Sequence, residues 1–571
     1  MRDEQNPKLL NEQGEQYLTG SQGKPKNIEI AFSYFKKAAD LQNPIGYYNL
    51  ARYYREAKDS KQAVAALQKS LAMGYAKAAI LLSSMALLGE GQRKSPKNAY
   101  KYLLEAVQQN ELEAINLIAT YLWKGIGTKK DSKTAISYVQ RSADMGDPQG
   151  MYLLATYLME DKKDKKAPET AMMWLDQAAQ KLHQDAIKTI RQVYLDNLPV
   201  VQKKSRQHRD EMIFYYRELL AKSGDLESIR EVAQAYYDGT KVVGKNPEKA
   251  AEYYQVLLRH RDAEGYYGVG ICLLYGRGMS QNIEKAKEHL TTAATMQHPN
   301  ALVKLGDIAR SDALGKPDYE QAKTYYMEAA KQQDPEALLN LGLLHYRRQI
   351  AQSTPELAFQ YMDQAAKKQS SMADYWLGIF YDRGIGTPKN SLLSEKAFLR
   401  AIDQGNSGAK FKYAQVLIEE ARSLKKLSKK HETRLSQAYN LLKDYLDDSE
   451  ASKINQLSAM WYFAEAYWEG FGCRTNLRAA RYWTEKAADG GLTIAKTKLY
   501  QVIRDQEPSN ALQWLQQAVQ AGDDPQAQYE MGILLLEGYS DVHPDPKAAR
   551  HMFELAASKK HAKALEKLTM L

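Results

Sequence analysis

One frame recurs along the whole chain and limits the fold more than any other feature. It consists of an Ala, an aromatic residue three positions later, and two small residues at seven and eight positions. Examples are "AFSYFKKAAD" from Ala31, "AMMWLDQAAQ" from Ala171, "AKTYYMEAAK" from Ala322 and "AFQYMDQAAK" from Ala358. By its first residue the frame stands at 31, 63, 99, 135, 171, 213, 250, 286, 322, 358, 394, 438, 480, 511 and 549. The spacing is 36 residues from 63 to 171 and again from 250 to 394. Fixed periods of this length are the mark of stacked supersecondary units, none of which can bury its apolar face alone.

Each unit reads as two short helices. Helix B carries the Ala, the aromatic and the small pair at i, i+3, i+7 and i+8, which predicts one buried helical face. Helix A follows, as in "ADYWLGIFYDRGIG" from Ala373, and holds a Gly where helices would cross closely: Gly270, Gly306, Gly342, Gly378 and Gly532. The chain then turns through Gly-x-Gly (Gly125/Gly127 and Gly384/Gly386 among others), since Gly supplies the positive φ of such a turn. An Asn or Asp precedes the next helix B at Asn27, Asp131, Asn246, Asn282, Asn476 and Asp545, the place of an N-cap.

This frame disposes of a tempting motif. "GTKVVGKN" (239–246) contains Gly-x-x-x-x-Gly-Lys, most of a phosphate-binding loop. The hydroxyl residue that would hold Mg²⁺ is replaced by Asn246, and helical rather than strand spacing precedes it. The stretch is an inter-helix turn: Gly239 the turn residue, Asn246 the cap, Ala250 the start of the next frame.

Composition excludes several classes. The chain has 571 residues, 44% hydrophobic and 26% charged, enough apolar material for a core. Tyr outnumbers Phe 39 to 10, as suits helices that are half buried and half wet. The net charge of +10 is modest over this length for a dedicated nucleic-acid binder. Cys272 and Cys473 stand far apart, giving neither a disulfide framework nor a Cys-based zinc site. The ten His form no His-Glu-x-x-His, and no nucleophile motif occurs, so no cofactor, metal or catalytic activity is expected. The first 18 residues lack the apolar core of a signal peptide, which places the chain as written in the cytoplasm, or in the periplasm if a leader preceded Met1.

The motif Ala-x-Tyr-x-Leu-Gly-x-x-Tyr-x-x-Gly-x-Gly, carried by Ala373, Tyr375, Leu377, Gly378, Tyr381, Gly384 and Gly386, resembles the Sel-one-like repeats, relatives of the tetratricopeptide repeats. The resemblance implies an all-α, right-handed superhelical solenoid of about fifteen helix pairs, with helix A on the concave face. It also implies a non-enzymatic scaffold or adaptor for other proteins, as in bacterial complex assembly, signalling, or envelope assembly and secretion.

Frame spacing stretches to 42 after 171, to 44 after 394 and to 42 after 438. These breaks read either as bends between three arms (1–190, 191–417 and 418–571) or as loops on one continuous spiral. On helix A, groove-facing positions fall at Asn49, Glu231, Lys304, Asn340, Trp376, Lys412 and Tyr462, and one turn further at Arg52, Gln234, Asp307, Gln415 and Glu465. Trp376 and Tyr462 either anchor a partner in that groove or pack between repeats. Two insertions are basic: 202–209, with Lys203, Lys204, Arg206 and Arg209, and 422–434, with Lys425, Lys426, Lys429 and Lys430. They offer a patch for a polyanion, a membrane surface or an acidic protein. The plainer alternative is a solvated face; at 422–434 that is one long helix, with Leu417, Ala421, Leu424, His431 and Leu435 as its apolar stripe. At the C-terminus, Leu565, Leu568 and Leu571 either fold inward as a cap or form a docking edge.

Overall fold

The computed structural model describes residues 6–160, 164, 166–423, 429–448, 452–539 and 542–571. The described residues form thirty-one α-helices and no β-strand. They divide into two units, Met1–Asn282 and Ile283–Leu571. Within each unit every helix packs on the helix before it and the helix after it. A and B helices alternate from Pro7–Thr19, the first A helix, to Ala562–Met570, the last. Several A helices also touch the next A helix, as Leu112–Lys124 touches Pro148–Glu160 and Ser371–Arg383 touches Ser407–Arg422. Where these contacts run, the A helices of a unit lie side by side as one layer, with the B helices as a second.

All fifteen frames fall on B helices, the leading residue being fourth in twelve of them. Fourteen of those leading residues are buried; Ile213 is half-buried. The aromatic three positions on is usually half-buried, as with Tyr34, Tyr102, Tyr253 and Tyr361. The fully enclosed residue is the next one: Phe35, Leu103, Tyr254, Tyr326, Phe398 and Phe553. The buried face is thus centred one residue beyond the aromatic. Its depth explains the helix-A glycines. A β-carbon at Gly378 would lie 2.7 Å from the Phe398 ring, and one at Gly306 would lie 2.5 Å from the Tyr326 ring. A large ring on helix B is accommodated by removing the facing side chain on helix A.

The turns behave as their residues dictate. Gly239 closes the helix Leu226–Asp238, and the Asn246 side chain accepts from the Lys249 N–H at 3.0 Å. Asn27, Asp131, Asn476 and Asp545 cap the same way. Cys272 is buried, and burial pushes its thiol up to about 12. Between Leu417 and Leu435 there are two helices rather than one, Ser407–Arg422 and Lys429–Leu446, packed on each other and clamped by the Arg434–Glu420 ion pair. That return gives Ala438 and Leu442 a buried face.

A second periodic device joins one repeat to the next. The fifth residue of an A helix reaches the N-cap of the next A helix. Asn11 donates to Asn43 (3.1 Å), Asn116 to Asp147 (2.6 Å) and Arg230 to Asp262 (3.2 Å); Thr497 donates to Asp524. Where both partners are rings they stack or meet edge-on: Tyr48 with Tyr75 (5.2 Å), Tyr152 with His183 (5.1 Å) and Tyr529 with His561 (4.8 Å). His183 and His561 are themselves caps, each accepting a backbone N–H through Nδ1 at 3.2 Å. Nε2 then carries the proton and donates to Gln149 or Gln526.

Burial lowers the pKa of both histidines below the ordinary 6.5. Below 6.5 the unfolded chain takes up protons that the folded chain refuses, so stability is full above that pH and falls as pH drops through it. Urea unfolding is expected to show lower stability at pH 5 than at pH 7.5. His183→Asn with His561→Asn keeps the caps and is expected to reduce that dependence, to which His289 and His345, lowered by burial in the same way, also contribute; an unchanged slope would remove His183 and His561 as a source.

Candidate functional site

The A-helix layer carries open clefts in both units. In the first unit a cleft of about 890 Å³ lies along Pro7–Thr19, Pro44–Glu56 and the start of Ala76–Leu88. Asn49 is buried at its base, donating to Asn11 Oδ1 at 3.0 Å. Arg52 pairs with Glu15 and donates to Asn49 Oδ1 at 3.3 Å. These two expected groove residues therefore line the cleft and also join successive repeats. Burial holds the Tyr48 and Tyr75 phenols above their ordinary value, so both stay neutral hydroxyls.

Through Tyr48 and Lys77 this cleft continues into a second, of about 460 Å³, floored by Ile80, Leu81, Ser84, Leu87 and Leu117. Sequence explains its character. The helix Ala76–Leu88, "AKAAILLSSMALL", has one charged residue, Lys77, and is apolar on every side. A helix apolar all round belongs in an interior, yet here the stripe Ile80, Leu81, Ser84, Leu87 remains only half-buried.

In the second unit the candidates stand on successive A helices. The Lys304 ammonium lies between Glu336 (2.9 Å) and Asp307 (3.4 Å), and Asp307 also accepts from the Tyr326 hydroxyl at 2.7 Å. Asn340 is buried. Trp376 is half-buried, its ring 5.4 Å from Tyr346 and 6.3 Å from Phe380, so it packs between repeats. Lys412 donates to Gln415 at 3.1 Å, and burial beside Arg383 lowers its pKa below the ordinary 10.5. Tyr462 packs on Phe411 at 6.2 Å. Burial raises the Glu465 carboxyl, against the pull of Arg422 at 3.1 Å. Beyond it a slot of about 220 Å³ is lined by Trp461, Trp468, Ile494 and Lys498 among others, the Lys498 ammonium 5.6 Å over the Trp468 ring.

Of the basic insertions, Lys203 and Lys204 are exposed in the turn before the helix Arg206–Lys222. Arg206 stands 3.9 Å from Asp210, and Arg209 donates to the Lys204 carbonyl at 2.7 Å. Lys425 and Lys426 lie outside the described residues; Lys429 and Lys430 begin the helix Lys429–Leu446, described there in backbone only. Of the terminal leucines, Leu568 packs on the last core cluster, while Leu565 and Leu571 are exposed. Among the described residues no group of three His, Cys, Asp or Glu is placed to hold a metal, and no helix is long and apolar enough to cross a membrane.

Missing from the groove positions chosen by sequence were the fifth-residue latches, one position earlier on helix A. A signal was present: Asn11 with Asn43, Tyr48 with Tyr75, and Arg230 with Asp262 match in chemistry at one repeat's distance.

Alternating helices, a 36-residue period and an exposed A-helix layer define a helix-pair repeat solenoid with interaction surfaces. The chain belongs to the Sel1 repeat family. The Sel1 repeat model matches residues 14–43, 76–111, 112–147, 148–181, 226–256, 263–298, 299–334, 335–370, 371–406, 457–492, 499–523 and 525–561. Three unmatched stretches, 44–75, 182–225 and 407–456, each contain a helix pair whose connecting sequence lacks Gly-x-Gly. No curated protein matches the sequence. Among solved structures, the chain is similar to c5321, a protective antigen of uropathogenic Escherichia coli strains displaying an SLR fold. That match has 19% identity and a TM-score of 0.45, covering 86% of this chain and 97% of the other. A Sel1 repeat protein from Oxalobacter formigenes matches at 20% identity and a TM-score of 0.39, covering 64% of this chain and 90% of the other.

Proposed function

We propose that the chain is a non-enzymatic scaffold that holds partner polypeptides along its A-helix layer, serving complex assembly or signalling. The observation that carries this reading is the half-buried apolar stripe of the helix Ala76–Leu88, open in a cleft that continues past Tyr48 into the polar cleft around Arg52 and Glu15. The apolar surface that Ile80, Leu81 and Leu87 leave open to water contributes nothing to stability; covered by a partner it would. Membership of the Sel1 repeat family supports the same reading.

The test is a photo-crosslinking residue placed at Leu81 and, for comparison, at Lys101 on the exposed side of a B helix. In the native cell, position 81 is expected to capture a short, stoichiometric set of proteins that position 101 does not. With the crosslinker kept at position 81, Leu87→Asp in the same cleft is expected to weaken that capture by about thirtyfold, the effect of burying an unpaired carboxylate in an interface. Equal capture from both positions would overturn the reading.

A further inference from the structure

The chain's positive charge is unevenly placed. Residues 1–282 hold 41 Lys and Arg against 33 Asp and Glu; residues 283–571 hold 38 against 36. Much of the excess lies on one edge of the first unit, where each A helix turns into the next B helix. Exposed lysines stand at Lys94 and Lys97 in one such turn, Lys129 and Lys133 in the next, and Lys203 and Lys204 two turns further. The basic insertion at 202–209 is therefore one member of a series. The turns are also in contact: a β-carbon at Gly91 would lie 2.0 Å from the Ser60 carbonyl oxygen, and one at Gly127 2.0 Å from that of Pro96. Each Gly-x-Gly turn rests on the start of the preceding B helix, so the edge is continuous there.

Two observations set this edge apart from ordinary solvated lysine. Three successive B helices, Ser60–Ala72, Pro96–Gln108 and Ser132–Asp144, place Lys61, Lys97 and Lys133 in their first turn and no acid within that turn, behind the N-caps Asp59, Ser95 and Asp131. A cation at a helix N-terminus opposes the helix dipole. Three successive B helices of the second unit, Ile283–Thr295, Tyr319–Lys331 and Pro355–Lys367, carry Glu284, Glu320 and Glu356 there, while its Leu477–Asp489 and Pro546–Ser558 carry Arg478 and Lys547 without an acid. These turns of the first unit thus present Lys97 and Lys133 to solvent with no first-turn acid beside them. Secondly, bare leucines accompany the lysines. Leu88, 60% exposed, ends the helix before Lys94, and Leu195 and Leu198, 46% and 40% exposed, precede Lys203.

We propose that this turn edge is a docking face for an anionic lipid bilayer, with the lysines against headgroups and Leu88, Leu195 and Leu198 entering the interface. Lysine with adjacent aliphatic side chains is the chemistry of interfacial binding, where charge and apolar burial act together. Nucleic acid is a poorer fit: its recognition uses arginine forks and stacked rings. This edge favours lysine, and its Trp123 is already stacked on Tyr157 at 4.2 Å beneath Lys130. The face is separate from the A-helix clefts, so the two readings fail independently.

The test is sedimentation of the full chain with vesicles rich in phosphatidylglycerol and with vesicles of phosphatidylcholine alone, at low and high salt. Binding is expected to the first only, weakening as salt rises. The combined variant Lys94→Glu, Lys97→Glu, Lys129→Glu and Lys133→Glu is expected to lose it by about a hundredfold or more, on the order of fivefold per charge near the surface. Its fold is expected to survive, because a carboxylate at 97 or 133 complements the helix dipole; circular dichroism checks this. Reversing Lys331, Lys368, Lys389 and Lys396 in the second unit is expected to leave binding intact. Leu88→Ser with Leu195→Ser and Leu198→Ser is expected to weaken it and make the remainder more salt-sensitive. Absence of phosphatidylglycerol-dependent binding would overturn the proposal, and so would equal loss in both charge-reversal variants. Binding indifferent to the leucines and abolished by competing duplex DNA would overturn it in favour of a nucleic-acid face.

Discussion

Arg400→Ala is expected to destabilise the second unit by about 3 kcal/mol, the lower range for stripping one partner from a buried ion pair. Asp374 is 1% exposed. It accepts from Arg400 Nε at 2.9 Å and Nη2 at 2.6 Å, and from Gln404 at 3.0 Å. Truncating Arg400 leaves a carboxylate enclosed between Ser371–Arg383 and Ser391–Asp403 with a single amide for company. Arg400 is half exposed, which limits its own desolvation cost and keeps the expected loss below the top of the range. The double variant Asp374→Leu with Arg400→Met is expected to recover most of the loss, because removing both charges leaves nothing unpaired. Urea unfolding, with hydrogen exchange to confine the effect to these helices, reads both. Arg400→Ala within 1 kcal/mol of the parent would show that water or Gln404 already satisfies the carboxylate.

The second large effect lies within one turn. Gly125 and Gly127 both have positive φ, 73° and 70°, so any L-residue there is disfavoured by about 1 kcal/mol. They differ in surroundings. A β-carbon at Gly125 meets nothing nearer than 3.4 Å, whereas at Gly127 it would sit 2.0 Å from the Pro96 carbonyl oxygen, which belongs to rigid backbone. Gly125→Ala is expected to cost about 1 kcal/mol and Gly127→Ala about 3 kcal/mol or more, since the second must push two repeats apart. Equal costs would show that the turn yields easily and that contact between repeats adds little.

Much of this was legible in the sequence, for a physical reason. A repeat restates each constraint many times, so the Ala, the Gly-x-Gly and the capping Asn stand out where one instance would be ambiguous. Every frame fell on a B helix, and "GTKVVGKN" proved to be the turn that its flanking periodicity required. The buried centre of helix B was harder to see, because the position after the aromatic is filled variously by Phe, Leu, Tyr, Val and Met, and by Thr484 and Arg217 in two frames. Only the facing glycine shows why such variety fits. The groove residues were harder still. Whether Asn49 meets solvent or Asn11 depends on the neighbouring repeat, and Trp376 met Tyr346 for the same reason. Between Ser407–Arg422 and Lys429–Leu446 the sequence offers no Gly or Pro to mark where one helix gives way to the next.

The latch between fifth residue and next cap has an evolutionary consequence. Solenoids grow and shrink by gaining or losing whole repeats, and identical joints would make every such edit harmless. Here the joints differ: amide to amide at Asn11 and Asn43, ring to ring at Tyr48 and Tyr75, guanidinium to carboxylate at Arg230 and Asp262. Excising residues 43–74 would bring the Asn11 amide opposite the Tyr75 ring, a pairing that satisfies neither. The order of the repeats is thus written into their joints, as word order is fixed in a language by agreement between neighbours.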